Sequence, residues 1–408
     1  MNSCIICQSL SVETIIDFGL QSISNRYLSN KEVQEYKHSF NLGYCHFCSL
    51  VQLINPPAIH ELKPRFDWIT YKEPEGHLDD LVDLLSQLPN INEESSFCGV
   101  SEYEDTTLDR LRRKKFLNTW RLELDANLGS CNSLTVIETI QRYLEHRDIN
   151  QITKNNVRPK VIIARDILEH AHNPLPFMQA LREIVDPNGY VVFEVPDYSK
   201  NFAICDYSSL WEEHISYFTP FTFIQSLEKG GFKIDDLSLY QYDMQDYLIA
   251  IARPKSDEYR YKRDEKLQLT EHKRINQFCT KLPKHQSWYR GVLSRYREKG
   301  KIALLGAGHI ACHFINLLNL ADLIDFLVDD HPNKCGMFMP GSQLPILPSS
   351  ALENKAVTLC LMSLSQESER KVMQSKKYFT ERGGIFASIF SASKNALKSY
   401  DLAVQEVD

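Results

Sequence analysis

The sequence predicts an α/β chain of three units: a small N-terminal unit folded around a metal, a central Rossmann-like unit and a C-terminal Rossmann-like unit. Three observations carry this expectation. Two Cys-x-x-Cys pairs, Cys4 with Cys7 and Cys45 with Cys48, fall near the start. Strand-like and helix-like patterns then alternate through about residue 253, as in a parallel sheet covered by helices. Further on, a turn of the form Gly-x-Gly-x-x-Ala, with Gly306, Gly308 and Ala311, separates a strand pattern from a helix pattern.

Composition bounds the possibilities. The chain has 408 residues, 43% of them hydrophobic, enough for two to four domains with real cores. A formal net charge of −7 argues against a nucleic-acid partner. No apolar stretch reaches membrane-spanning length, and Met1-Asn2-Ser3-Cys4 has neither the basic nor the apolar part of a secretory leader. Beyond the four paired cysteines, Cys98, Cys131, Cys205, Cys279, Cys312, Cys335 and Cys360 are scattered singly. That is the pattern of a reduced, cytoplasmic protein, not of a disulfide framework.

The elements follow in order. Residues 1–75 form the first unit. Each Cys-x-x-Cys pair sets two thiolates on one tight turn, and two pairs can close a tetrahedral zinc site with no open position. Such a metal folds the segment and does no chemistry. The alternative is four unrelated buried cysteines. Residues 76–254 form the second unit. They hold a helix pattern at 78–88, strand patterns at 120–124, 161–164 and 190–195, and a helix pattern at 177–185. Residues 255–300 are rich in Lys, Arg, Glu and Gln and read as helices linking two domains, with a solvated charged face. Residues 301–408 form the last unit, with strands at 302–305 and 324–329 around a helix at 312–320. Backbone N–H groups at that helix start can hold phosphate. The alternative is a glycine turn that only packs helix on strand. No internal repeat and no low-complexity tract interrupts this order.

Taken together, these segments resemble the sugar C-methyltransferases that act on nucleotide-linked 4-keto-deoxysugars. The resemblance rests on the cysteine pairs, on Tyr71 followed by His77, and on Ala164-Arg165-Asp166-Ile167-Leu168-Glu169-His170. It rests also on Glu194-Val195-Pro196-Asp197, on Glu213-His214-Ile215-Ser216-Tyr217-Phe218-Thr219, and on the run from Val328 through Asp329, Pro332 and Lys334 to Pro340-Gly341. It implies an N-terminal zinc-binding domain, a central class I methyltransferase domain that uses S-adenosylmethionine, and a C-terminal Rossmann-like domain. Where the family has an acid followed by a glycine-rich turn, this chain has Phe97-Cys98-Gly99-Val100-Ser101-Glu102-Tyr103, with one glycine left. The family's Tyr-His-Glu-His is here Trp211-Glu212-Glu213-His214, and a later Gly-Gly-Ser turn is replaced by Met244-Gln245-Asp246.

Site residues follow from both readings. Gly99, Ser101, Ala164, Arg165 and Asp166 are expected around the cofactor. Asp125, at the end of the strand pattern at 120–124, is placed to hold ribose hydroxyls; an exposed acid at a strand end is the alternative. His170, Gly306, Gly308, His309 and Asp329 are expected around the substrate. Methylating carbon beside a ketone requires a base for the acidified C–H proton, with a pKa near the working pH. Glu213 and His214 are the candidates, with Tyr217 and Tyr71 able to hydrogen-bond the carbonyl or a sugar hydroxyl. Trp211 cannot take the proton, because indole only donates. His214 and Tyr217 could instead be satisfied polar groups at a helix start. Three functions remain open: methyl transfer to carbon, a non-methylating relative that binds a nucleotide-sugar as a pathway partner, and redox chemistry with a nicotinamide on the C-terminal glycine turn.

Overall fold

A computed structural model describes residues 2–69, 73–122, 140, 141, 144, 158–255 and 264–397. Asp125 and Tyr71 lie outside the described residues. The chain builds three sheets. The first begins with β1 (Val12–Ser22), β2 (Lys37–Cys45) and β3 (Val51–Ile54), all antiparallel. Both cysteine pairs flank these strands, so a metal there closes the end of the sheet.

The helix α1 (Leu78–Ser86) follows, with Leu78, Leu81, Val82 and Leu85 buried on one face at helical spacing. Then come β4 (Phe97–Gly99), α2 (Asp105–Arg113), β5 (Thr119–Arg121) and β6 (Val161–Arg165). The helix α3 (Pro174–Ile184) starts on a proline, whose missing N–H costs nothing in a first turn. It leads into β7 (Tyr190–Asp197). Every residue of β6 and β7 is buried, the pattern of strands covered on both faces. The two-residue strand β8 (Ser216–Tyr217) leaves this unit and pairs with β3, completing the first sheet. After α4 (Pro220–Lys229), the hairpin of β9 (Phe232–Tyr240) and β10 (Asp246–Pro254) returns to the central sheet. The central order is β5-β4-β6-β7-β10-β9, parallel from β5 to β7 and antiparallel at β10.

The charged stretch after this unit is one helix, α5 (Glu265–Lys299), of 35 residues, continuous through Pro283. At about 1.5 Å per residue it is roughly 50 Å long. Ile275, Phe278, Val292, Leu293 and Tyr296 form its buried stripe. They join one core with Phe40 and Leu42 of the first sheet, Tyr217 of β8, and Ile302, Leu304 and Ile315 of the last unit. The solvated face expected from composition is therefore only one side of this helix.

The last sheet is wholly parallel, in the order β13-β12-β11-β14-β15: β11 (Lys301–Leu305), β12 (Phe326–Val328), β13 (Ile346–Leu347), β14 (Val357–Met362) and β15 (Ile385–Ser388). The glycine turn joins β11 to α6 (His309–Leu317), which starts three residues earlier than the sequence pattern suggests. Gly306 has φ +96°, and a Cβ there would stand 2.7 Å from Ser363 Oγ, so only glycine fits. Among the described residues, no helix is long and apolar enough to cross a membrane.

Candidate functional site

Two centres emerge. The first is the cysteine cluster. Cys4, Cys45 and Cys48 are buried and Cys7 is half-buried. All four Sγ atoms lie within 4.8 Å of one another, with Cys4–Cys48 and Cys7–Cys45 both at 3.5 Å. A tetrahedron with metal–sulfur bonds of about 2.3 Å has edges of about 3.8 Å, so the donor set and its spacing fit zinc. Each knuckle is closed by a left-handed residue, Gln8 (φ 63°) after Cys7 and Ser49 (φ 65°) after Cys48. Their N–H groups bond back to Cys4 O (3.0 Å) and Cys45 O (2.8 Å).

The second centre is a cavity of about 1390 Å³ shared by all three units. The N-terminal segment contributes Ser24, Asn25 and Tyr27; the central unit contributes Ser101, Tyr103, Asp166, Glu169, His170, Trp211, Glu213 and His214; the last unit contributes Gly308 and His309. Of these, Ser101, Tyr103, Asp166, Glu169 and His170 follow the carboxyl ends of β4 and β6, where open α/β sheets hold ligands.

The loop after β4 is held by its own hydrogen bonds. Ser101 N and Oγ donate to Glu104 Oε2 at 2.6 and 2.8 Å, and Glu104 Oε1 accepts from Arg165 N at 2.8 Å. Gly99 lies below; a Cβ there would meet Glu104 Cβ at 2.7 Å. Burial, eased by the Arg165 and Ser101 N–H groups, pushes the Glu104 carboxyl up to about 7. Arg165 is buried and committed to the scaffold. Its Nε and Nη2 donate to Glu194 at 2.7 and 3.2 Å, and its Nη1 donates to Tyr103 O at 2.9 Å. His77 Nε2 lies 3.1 Å from the same Glu194 carboxylate. Ala164 sits within the β6–β7 ladder and offers only backbone.

Three carboxyl groups face the cavity from this side. Asp166 has φ 48°, and neither of its oxygens finds a hydrogen-bond partner among the described residues. Burial, then Glu194 and Glu73, raise its carboxyl well above the usual range. Glu169 is likewise buried with both oxygens unpartnered among the described residues, and burial lifts it to about 7 while His170 opposes. Glu73 accepts from the Tyr247 hydroxyl and is raised by burial.

Glu213 and His214 sit on the loop between β7 and β8. Asn25 Nδ2 donates to Glu213 Oε1 at 2.7 Å. His214 Nδ1 lies 2.6 Å from the Tyr198 hydroxyl, and the ring stands edge-on to His170 with centroids 4.7 Å apart. Burial, then the neighbouring His170, hold the His214 imidazole well below its ordinary pKa. The loop is fixed from both sides. Ile215 and Ser216 N–H groups donate to Glu169 O at 2.7 and 3.0 Å, while β8 pairs with β3. Tyr217 is buried behind the cavity; its hydroxyl donates to Trp211 O at 2.8 Å.

Glu212 faces the other way. Its Oε1 accepts from Ser24 N and Oγ at 2.5 and 2.8 Å, and its Oε2 pairs with His313 Nε2 at 2.7 Å. That buried knot joins all three units. Burial opposes ionisation, but His313 and Ser24 hold the Glu212 carboxyl down at about 2. Beside it, Trp211 stacks on His309 with centroids 4.5 Å apart and planes at 15°. Asp329 fastens the glycine turn: its carboxylate accepts from Ala307 N at 3.0 Å, His331 N at 2.9 Å and Lys334 Nζ at 3.2 Å. Gly306 supports the turn from behind, and Gly308 lines the cavity.

The structure thus gathers Ser101, Asp166, His170, Glu213, His214, Gly308 and His309 on one cavity, and sets Arg165, Tyr217, Gly306 and Asp329 behind it as supports. Sequence reasoning missed Asn25, Glu73, Tyr198 and the Glu212–His313 knot. Only Tyr198, directly after the Glu-Val-Pro-Asp motif, carried a local signal.

Three protein-family models match the chain in sequence: "Putative zinc binding domain" over residues 4–61, "Methyltransferase domain" over residues 144–237, and "C-methyltransferase C-terminal domain" over residues 253–390. No curated protein matches. Solved structures with local likeness include an S-adenosylmethionine-dependent methyltransferase from Clostridium acetobutylicum, 11% identical over 44% of this chain and 91% of that chain, with a TM-score of 0.31. LepI in complex with SAM is 14% identical over 46% of this chain, which spans only 50% of that chain, at a TM-score of 0.31. The 1,6-didemethyltoxoflavin-N1-methyltransferase of Burkholderia thailandensis is 12% identical over 45% of this chain and 80% of that chain, at a TM-score of 0.31.

Proposed function

Because the chain is a methyltransferase carrying a zinc-binding domain, a methyltransferase domain and a C-methyltransferase C-terminal domain in that order, we propose that it transfers a methyl group from S-adenosylmethionine to carbon on a nucleotide-linked keto-deoxysugar. The observation that carries this reading is the single cavity on which the carboxyl ends of β4 and β6, the Glu213-His214 loop and the C-terminal glycine turn converge. Domain limits at 1–75, 76–254, 255–300 and 301–408 belong to the same proposal, as does a reducing, cytoplasmic setting, in keeping with ten free cysteines among the described residues.

The charge of the cavity suits the cofactor. S-adenosylmethionine carries a sulfonium and an ammonium, and when bound it supplies an electrophilic methyl group. Asp166 offers two buried carboxylate oxygens with no hydrogen-bond partner among the described residues, the Arg165 guanidinium standing 3.9 Å from one of them, and Ser101 and Tyr103 line the same cavity. A buried carboxyl with a raised pKa ionises readily once a cation arrives, since an opposite charge favours the charged form. Asp125 remains the proposed ribose contact.

The remaining steps belong to the chain's own groups. The C–H bond beside the ketone breaks, its proton passes to His214 or Glu213, and its electron pair moves into the enolate. With S-adenosylmethionine bound, that pair would take the methyl carbon as the methyl–sulfur bond broke, and S-adenosylhomocysteine would leave. Asn25 orients Glu213, Trp211 and Tyr217 shape the pocket wall, and Tyr71 is proposed to bond the sugar or its carbonyl. His170 lies beside His214 for the sugar, while Gly308 and His309, at the N-terminus of α6, are proposed to face the nucleotide phosphates. Gly306 and Asp329 act by holding that turn.

A specific feature favours the second reading, a non-methylating relative that binds a nucleotide-sugar. Tyr103 lines the cavity, and the stretch from Phe97 to Tyr103 keeps only Gly99 of the glycine-rich turn in the family this chain resembles. Calorimetric titration with S-adenosylmethionine separates the readings: a saturable micromolar signal supports methyl transfer, and silence with sugar-nucleotide binding intact supports the relative.

A further inference from the structure

We propose that Tyr198 is a positioning residue that fixes the tautomer of His214, placing the proton on Nδ1 and leaving Nε2 as the basic nitrogen. The Tyr198 oxygen lies 2.6 Å from His214 Nδ1 and 3.2 Å from the carbonyl oxygen of Ser209. A carbonyl can only accept, and a phenol has one proton to give. Both contacts are hydrogen bonds only if the hydroxyl donates to Ser209 O and accepts from Nδ1–H. A neutral imidazole has a single N–H, so Nε2 then holds the lone pair.

The surroundings keep both partners in the required state. Tyr198 is fully buried, and burial, then Tyr217 and Glu169, raise its phenol, so it stays protonated. His214 faces His170 and Glu169 from the loop after β6, and feels His309 and His313 of α6 electrostatically. Trp211 and Tyr217, on its own side, present rings at 4.9 and 6.4 Å. Burial first, then the neighbouring His170, keep the imidazole neutral, which is the form a base needs. The Ser209 carbonyl belongs to the turn just before Trp211, so the tautomer is set by the same loop that carries Glu213 and His214.

For its effect on rate the inference rests on the methyl-transfer reading; its first test does not. Protein labelled with 15N-histidine is examined by long-range 1H–15N NMR, with His214 assigned by its loss in His214→Asn. A protonated-type shift at Nδ1 and an unprotonated-type shift at Nε2 are expected, with Tyr198→Phe moving His214 toward the Nε2–H form. A wild-type spectrum with the proton on Nε2 overturns the proposal, whether or not the variant folds. In an assay of solvent hydrogen–deuterium exchange at the carbon beside the ketone of a 4-keto nucleotide-sugar, Tyr198→Phe is expected to lower the rate by about tenfold or more at unchanged substrate KM. Exchange that His214→Asn abolishes and Tyr198→Phe leaves intact overturns the positioning role alone. Wild type with the Nδ1–H form and no exchange on any substrate overturns the reaction and keeps the tautomer assignment.

Discussion

Replacing Arg165 by Met should be a stability defect before it is a binding defect. The guanidinium gives two hydrogen bonds to Glu194 and one to Tyr103 O, and both charged side chains are essentially inaccessible, at 2% and 0% exposure. Methionine fills similar space but leaves Glu194 buried without its main counter-charge. Removing one partner of a buried pair costs about 3–5 kcal/mol. His77 still reaches Glu194 at 3.1 Å, which puts the expected loss at the lower end, about 3 kcal/mol. Burial alone would raise the Glu194 carboxyl, but Arg165 and His77 hold it below its ordinary range. In wild type this contribution is therefore present at neutral pH and fades as pH falls through the folded pKa. In the variant, burial dominates and the stranded carboxylate takes a proton at higher pH. The difference between wild type and variant should accordingly shrink from pH 7 to pH 5. Urea denaturation followed by tryptophan fluorescence at both pH values measures it. A loss under about 1 kcal/mol at pH 7, or a loss that grows on acidification, would refute the reasoning.

Other expectations follow the same logic. Metal analysis should find about one zinc per chain, and Cys45→Ser should lose it and destabilise the first sheet, seen as loss of metal with earlier proteolysis of residues 1–75. Asp166→Asn keeps the shape but removes a charge facing the cavity, so S-adenosylmethionine affinity by calorimetry should fall by about 1.5–3 kcal/mol; unchanged affinity places the cofactor elsewhere. Phe278→Ala opens the core shared by the first sheet, α5 and the last sheet, where Phe278 is fully buried, and should cost about 3–5 kcal/mol in denaturation.

What the sequence made legible was local. A Cys-x-x-Cys pair fixes its own turn, so the four sulfur ligands could be named from spacing alone. The glycine turn and the all-buried strands β6 and β7 carried their patterns within a few residues. What it hid was pairing at a distance. Arg165 looks like a cofactor contact because it ends a strand at the ligand-binding edge; the β6–β7 register sets it opposite Glu194 instead. Asn25 and Glu213 are 188 residues apart, and no periodicity links them. The two residues of β8 are too few to show a strand period, yet they tie the Glu213-His214 loop to the first sheet. Glu212 stands next to the candidate base in sequence, but its carboxylate turns away to His313. Only the packed chain could separate the two neighbouring glutamates.

The most direct test of the account is solvent hydrogen–deuterium exchange at the carbon beside the ketone, on a panel of 4-keto nucleotide-sugars, with S-adenosylmethionine omitted. Wild type should catalyse exchange on at least one panel member. Glu213→Gln or His214→Asn should lower the rate by about 10²–10⁴-fold, the usual cost of losing a general base. Absence of exchange across the panel, with nucleotide-sugar binding retained, would contradict the enolate chemistry assigned to this cavity.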